Sequence, residues 1–426
     1  MWADSSVLYQ IYPLGAFGCP FENDFKKEHR ILKMKVWMPK LSDLSIDAIL
    51  FNPLFQSHTH GYDTIDFYQV DDRLGDTKDL QEIIHSLHER NIRVIFDTVF
   101  NHVGRGFFAF QDVLLNRENS RYKDWFFIDF WNNNEFDDHL SYQNWEGNAI
   151  LIKLNLKNPE VVEYLCQVVQ YWIDTFDVDG LRLDVAYCLD PDFIRTLRAR
   201  FPSLFIVGET LHGDYNQWVN DSMLDSCTNY ECYKGLYSSM NTMNLFEISH
   251  SLQRQFGKEP WCLYRGKHLV NFVDNHDVVR IASQLENSHH LPLIYVLLMT
   301  MPGIPCLYYG SEWGIEGKKN WNDTELRPEI EHLCSNELTD YIKKLIAIKH
   351  EQPSLASAEY DQIILNNTYC VFQREDLYIA INIQGECVEF NLPLEGTFID
   401  LLSEQTGMID RRLSLDAYEA LILKRI

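Results

Sequence analysis

Four short segments hold the residues whose types and spacing could do chemistry. The segment 97–102, DTVFNH, closes an apolar run with Asp97, Asn101 and His102. In 180–186, GLRLDVA, Arg182 and Asp184 alternate with Leu181, Leu183 and Val185. A strand period of two sends that cation and that carboxylate to the same side. The run 204–210 is apolar until Glu209, and 271–277, NFVDNHD, ends in Asn275, His276 and Asp277. A lone charged residue at a strand end is ordinarily a solvated loop residue. Acids, histidines and an arginine delivered at the same end of four strands form a constellation. Three carboxylates with such partners fit cleavage of a glycosidic bond with retention, which needs a carboxylate nucleophile and a second carboxyl that acts first as acid and then as base. Asp184, beside Arg182, is expected to be held low and ionised, as a nucleophile requires. Glu209, facing other carboxylates at the end of an apolar strand, is expected to be pushed up and to donate the proton. A raise on Asp184 instead would reverse that pairing.

Elements must position these groups. Short apolar runs at 7–14, 48–54, 93–99, 180–186, 204–210, 226–231, 269–275 and 304–310 read as eight strands. Between them lie amphipathic stretches such as Leu80, Ile83, Ile84, Leu87 and Val162, Leu165, Cys166, Val169, at helical spacing. The second is introduced by Asn158-Pro159, a side-chain cap followed by proline at the first helical position. Strands without a polar face, alternating with helices, predict an α/β fold: a parallel (β/α)8 TIM barrel, with a doubly wound open sheet as the alternative. Residues 1–103 and 155–352 form the expected barrel. The stretch 104–154, rich in Phe, Trp, Asn and Asp without clear period, is a small excursion after strand three, and 353–426 is an antiparallel β-sandwich. The uncharged stretch 291–309 has the length of a membrane span, but Pro302-Gly303-Ile304-Pro305 breaks it into a buried helix, a turn and a buried strand.

Taken in order, DTVFNH, GLRLDVA, GET (208–210) and FVDNHD (272–277), with a long excursion after the first, resemble the four segments of the α-amylase superfamily, glycoside hydrolase family 13. The resemblance covers roughly residues 7–350 and implies retaining action on α-glucosidic bonds. Position by position, it implies Asp184 as nucleophile, Glu209 as acid/base and Asp277 as the third carboxylate, holding sugar hydroxyls. Arg182 would orient Asp184, while His102 and His276 would hydrogen-bond the sugar being cleaved. Residues 60–68, HGYDTIDFY, resemble the loop after strand two, which makes Tyr62 the stacking partner of that sugar. Asp323 and Arg327 match an Asp-x-x-x-Arg pair that binds the next glucose on the non-reducing side. DVA followed by Asp190, and Ile152-Lys153-Leu154-Asn155, are most similar to the neopullulanase, cyclomaltodextrinase and maltogenic amylase group. No counterpart of that group's N-terminal β domain is expected ahead of Val7, and Tyr187-Cys188 replace its usual polar residues on the acceptor side. The family's α-amylases place a structural Ca²⁺ near the position of Asn101, which could equally cap its own loop. No metal or organic cofactor is required by the mechanism.

Composition narrows the partners. With 37 Lys and Arg against 62 Asp and Glu the chain carries −25, and no basic cluster offers itself to nucleic acid or a membrane surface. An aromatic share of 13% fits packed cores and stacking on sugar rings alike. The ten cysteines include no CxxC pair, and Met1-Trp2-Ala3-Asp4 opens no signal peptide. Free thiols in the cytoplasm are expected. The reading that results is a hydrolase of α-1,4 bonds in maltodextrins or cyclodextrins, with some α-1,6 cleavage or transglycosylation. An α-glucosidase or glucanotransferase with the same residues, or a non-catalytic sugar-binding relative, are the alternatives, and the oligomeric state is open.

Overall fold

The computed structural model describes residues 1–426. Eight strands, β1 (Leu8–Ile11), β2 (Ala48–Phe51), β3 (Arg93–Thr98), β4 (Gly180–Leu183), β5 (Phe205–Gly208), β6 (Ser226–Cys227), β7 (Val270–Phe272) and β8 (Ile304–Tyr308), lie in one parallel sheet. Each pairs with its neighbour in chain order and β8 pairs with β1. A parallel bridge between Thr228 and Val270 links β6 to β7 and completes the ring. The barrel is therefore closed, and the open-sheet alternative falls.

Helices cover the outside: α1 (Met34–Asp43), α2 (Thr77–His88), α3 (Pro159–Phe176), α4 (Pro191–Arg200), α5 (Tyr230–Asn241), α6 (Phe246–Phe256), α7 (His290–Thr300) and α8 (Glu337–Glu351). Asp76 caps α2 and Asn158 caps α3, each accepting from backbone N–H groups of the first turn. The alternation lapses once, after β5, where only the single turn Tyr215–Gln217 intervenes before β6. The first run ends at Ile11, because Pro13 opens a short helix, and the sixth shrinks to two residues before α5 begins at Tyr230. The stretch 291–309 resolves into α7, a turn and β8. No helix is long and apolar enough to cross a membrane.

The barrel interior explains how a core becomes a site. Leu8, Leu50, Ile95, Phe205, Val207, Val270, Phe272, Ile304 and Cys306 pack there as one cluster. Two residues further on, the same inward register delivers polar groups: Gln10 after Leu8, Asn52 after Leu50, Asp97 after Ile95 and Glu209 after Val207. A single sequence period thus builds an apolar floor and a polar mouth.

After β3 the chain leaves the barrel. His102–Gly104 pairs antiparallel with Asn148–Lys153, which pairs with Asn144–Trp145. The excursion also holds a helix, Phe108–Asn116, in which Ala109, Phe110 and Val113 are buried, although the segment read as aperiodic. From residue 361 the chain is antiparallel β, with strands β9 (Asp361–Leu365), β10 (Tyr369–Arg374), β11 (Leu377–Asn382), β12 (Val388–Asp400), β13 (Thr406–Leu415) and β14 (Ala420–Arg425). They form one hydrogen-bonded sheet in the order β9-β10-β11-β14-β12-β13. One face, through Phe372, Ile379, Ile381 and Ile422, joins the core between barrel and helices, and the other encloses a small core around Leu392, Phe398 and Leu415. All ten cysteines are free.

Candidate active site

At the mouth of the barrel one guanidinium organises the carboxylates. Arg182 stands level with Asp97 on β3 and Val207 on β5, so its head emerges among the ends of three strands. Its Nη1 donates to Asp97 Oδ1 at 2.7 Å and to Asp184 Oδ1 at 2.8 Å. Its Nη2 forms an ion pair with Glu209 Oε2 at 3.0 Å. Glu209 Oε2 also accepts from the Val185 backbone N–H at 3.0 Å, and Tyr230 Oη donates to Oε1 at 3.3 Å. Val185 is left-handed (φ 41°, ψ 46°), an uncommon conformation for a β-branched residue, and this turn at the end of β4 aims its N–H at Glu209.

The expectation that Asp184 is held low is overturned. Burial is the largest influence and raises its carboxyl; Arg182 pulls it down, while Glu209, Asp97 and Asp277 push it up again. The net position is well above the ordinary value. The physical reason is that one cation is divided among Asp97, Asp184 and Glu209. Asp277 goes the other way. Burial acts to raise it, but His276, Arg327 and Arg182 outweigh burial and hold it well below the usual carboxylate range.

Around the carboxylates, a second network fixes the rings. Tyr62 Oη donates to Asp97 Oδ2 at 2.8 Å, and Asn52 Nδ2 donates to the same oxygen at 2.9 Å. Gln10 Nε2 donates to His276 Nδ1 at 2.9 Å, which leaves the ring proton on Nε2, facing Asp277 Oδ2 at 2.9 Å. Tyr62 stacks on His276, with ring centroids 5.4 Å apart. His102 donates from Nε2 to the Tyr62 carbonyl at 3.1 Å, and burial pushes it down to about 4, so it is neutral at pH 7. A sugar hydroxyl would have to share that N–H with Tyr62. Arg327 Nη2 pairs with Asp277 Oδ1 at 2.9 Å and lies 3.6 Å from Asp323 Oδ2.

The structure brings Asp184, Glu209, Asp277, Tyr62, His102, Asp323 and Arg327 to one cleft of about 490 Å³, with Arg182 and His276 buried among them. The triad residues thus come from the ends of β4, β5 and β7. Trp145, Glu146 and Leu151 of the excursion close one wall, and Tyr187, Leu211 and Tyr230 another. Two buried atoms here, Asp323 Oδ1 and Trp145 Nε1, have no hydrogen-bond partner, so a ligand rich in hydroxyls would satisfy them. Sequence reasoning missed the roles of Gln10, Asn52, Asp97, Val185 and Tyr230. The signal for three of them was present, since Gln10, Asn52 and Asp97 continue the inward register of apolar strands.

Calcium near Asn101 has one point in its favour: Asn101 Oδ1 is buried without a partner. A hard cation takes six to eight oxygens, from carboxylates, backbone and Asn carbonyls and water. No group of three or more His, Cys, Asp or Glu side chains placed to hold a metal ion accompanies Asn101. No step below runs through a metal ion.

Known proteins share this sequence pattern and this fold. The α-amylase catalytic-domain family model matches residues 37–197 and 191–369. A cyclomaltodextrinase from Thermoanaerobacter pseudethanolicus is 35% identical over 88% of this chain and 68% of its own length. A maltogenic α-amylase from Bacillus acidopullulyticus is 32% identical over 89% of this chain and 63% of its own. The chain thus spans about two thirds of the length of these curated relatives. A solved cyclomaltodextrinase structure superposes with a TM-score of 0.87 at 27% identity, covering 99% of this chain and 78% of that one. The catalytic-domain match extends over most of a chain whose barrel carries all four segments at one mouth, and the chain belongs to the α-amylase family, glycoside hydrolase family 13.

Proposed function

We propose that the protein is a retaining α-glucan hydrolase that cleaves α-1,4 bonds of maltodextrins or cyclodextrins, with α-1,6 cleavage or transglycosylation as side activities. The observation that carries this reading is the meeting of Asp184, Glu209 and Asp277 in one cleft, two of them on a single guanidinium. Asp184 attacks the anomeric carbon while Glu209 protonates the departing glycosidic oxygen, giving a glycosyl ester on Asp184 and a shortened glucan. Glu209, now a carboxylate, takes a proton from water, whose oxygen attacks the same carbon and frees Asp184 with configuration retained. Asp277, held ionised by His276 and Arg327, binds sugar hydroxyls and faces the positive charge that develops on the ring.

The assignment of Asp184 and Glu209 to these roles rests on their places in the family segments. The raised resting state of Asp184 opposes it; the positive charge developing at the anomeric carbon supports it, because that charge favours an ionised partner. Azide separates the alternatives. In Glu209→Ala protein, azide should trap the glycosyl-enzyme as the α-azide, whereas in Asp184→Ala protein it should displace directly and give the β-azide. The reverse pattern would exchange the roles. For substrate class, β-cyclodextrin, pullulan, soluble starch and maltotriose are compared side by side. Faster turnover of cyclodextrin than of starch fits the cyclomaltodextrinase-like reading, and the reverse an ordinary α-amylase. Asp323 and Arg327 would hold the next glucose on the non-reducing side. Ten unpaired thiols, five of them buried, support action in the cytoplasm.

A further inference from the structure

The cleft does not end at Arg327. His60 and Arg327 are shared with a second hollow of about 520 Å³, and Phe21 stands on its rim. Beside it is Trp321, two residues before Asp323, with ring centroids 6.3 Å apart at 63°. Trp321 is 87% exposed and Phe21 39% exposed. Large aromatic rings left in water side by side at the edge of a cleft mark a binding surface.

Phe21 sits on pinned backbone, and Trp321 in a tight turn. The carbonyls of Pro20 and Phe21 accept from Nη1 of Arg73, a wholly buried cation paired with Asp71. Phe21 also packs against His60, with ring centroids 6.5 Å apart. Trp321 lies in the turn closed by Asn320 and Thr324, where the Thr324 N–H donates to Asn320 Oδ1 at 3.2 Å. The Phe21 side is therefore held in place, and no buried contact depends on the Trp321 side chain.

We propose that Phe21 and Trp321 form an aromatic platform for the outer glucose units of an α-glucan, those that leave the cleft past Asp323 and Arg327. The inference rests on the reading of the cleft as a glucan site, in which this is the non-reducing side. Glucose rings offer C–H faces to aromatic planes, and two planes set at an angle suit a chain whose successive rings tilt as it curves. The platform makes the enzyme favour longer chains over maltotriose.

Binding of maltotriose and maltohexaose to Asp184→Asn protein, by calorimetry, tests the platform without turnover. Adding Phe21→Ala and Trp321→Ala together should weaken maltohexaose about five- to tenfold and leave maltotriose unchanged. Trp321→Phe, which keeps a stacking face, should restore most of the loss. Unchanged maltohexaose affinity in the double replacement, or equal losses for both sugars, would overturn the platform. In parallel, kcat/KM of otherwise native protein should rise from maltotriose to maltohexaose, and the double replacement should flatten that rise. If native protein cleaves no α-glucan, the hydrolase reading fails, and the binding comparison still decides the platform by itself.

Discussion

At the scale of residues, the site is a problem of too little positive charge. Arg182 serves Asp97, Asp184 and Glu209, so neutralising one carboxylate relieves the others. Asp184→Asn should lower kcat by about 10⁴-fold or more, as loss of a nucleophile does. The same change should raise Tm. The folded protein holds the Asp184 proton more tightly than the unfolded chain, so ionisation costs stability as pH climbs above the ordinary aspartate range. A Tm gain of roughly 2–4 °C near pH 7, shrinking toward pH 4, is expected from thermal melts. No gain at pH 7 would mean that Arg182 compensates fully. The direction of the Asp184 shift was not legible in the sequence. Its neighbour Arg182 was visible, but the competing claims of Asp97 and Glu209 depend on strand register.

Among elements, the junction of α8 with the C-terminal sheet carries a buried conflict of charge. Lys349 on α8 and Arg374 at the end of β10 are both buried, and no carboxylate pairs with either. Lys349 Nζ donates to the Leu355 carbonyl at 3.2 Å, and Arg374 donates to the Thr300 and Ser357 carbonyls. Burial, with Arg374 adding to it, pushes Lys349 from 10.5 down to about 7. The unfolded chain therefore binds a proton between about pH 7 and 10.5 that the folded chain does not, and stability contributed by this site rises with pH across that window. Below about pH 7 the full cost of the buried charge is present. Lys349→Met should raise Tm by roughly 3–6 °C at about pH 6, with the gain closing toward pH 10. A gain that is flat with pH would assign the effect to packing alone. The β character of the tail was readable from the sequence. That α8 would bury a lysine against a sheet assembled from residues 361–425 was not, because the pairing is tertiary.

For the whole molecule, the −25 charge and the uncharged nature of a glucan lead to a plain kinetic expectation. Electrostatic steering needs charge on both partners, so kcat/KM for a maltooligosaccharide should change less than about twofold between roughly 0.05 and 0.5 M NaCl. A steep salt dependence would point to a charged substrate. The aromatic share divides at this scale too. Much of it is packing, as where Trp172 stacks on Phe55 at 4.5 Å and on Phe100 at 5.9 Å, and part of it, such as Tyr62, Trp145, Tyr187 and Tyr230, lines the cleft. By itself the sequence determined the barrel and the residues at its mouth, because a strand period of two and a helix period of 3.6 are local properties that a chain displays without being folded. It also named the acids, since each stands toward the end of a strand-like run. Only the tertiary structure decided how one arginine is shared, which protons are held, what closes the cleft and where exposed aromatics meet it. Those depend on the register of neighbouring strands and on contacts such as that between Phe21 and Trp321, 300 residues apart in the chain.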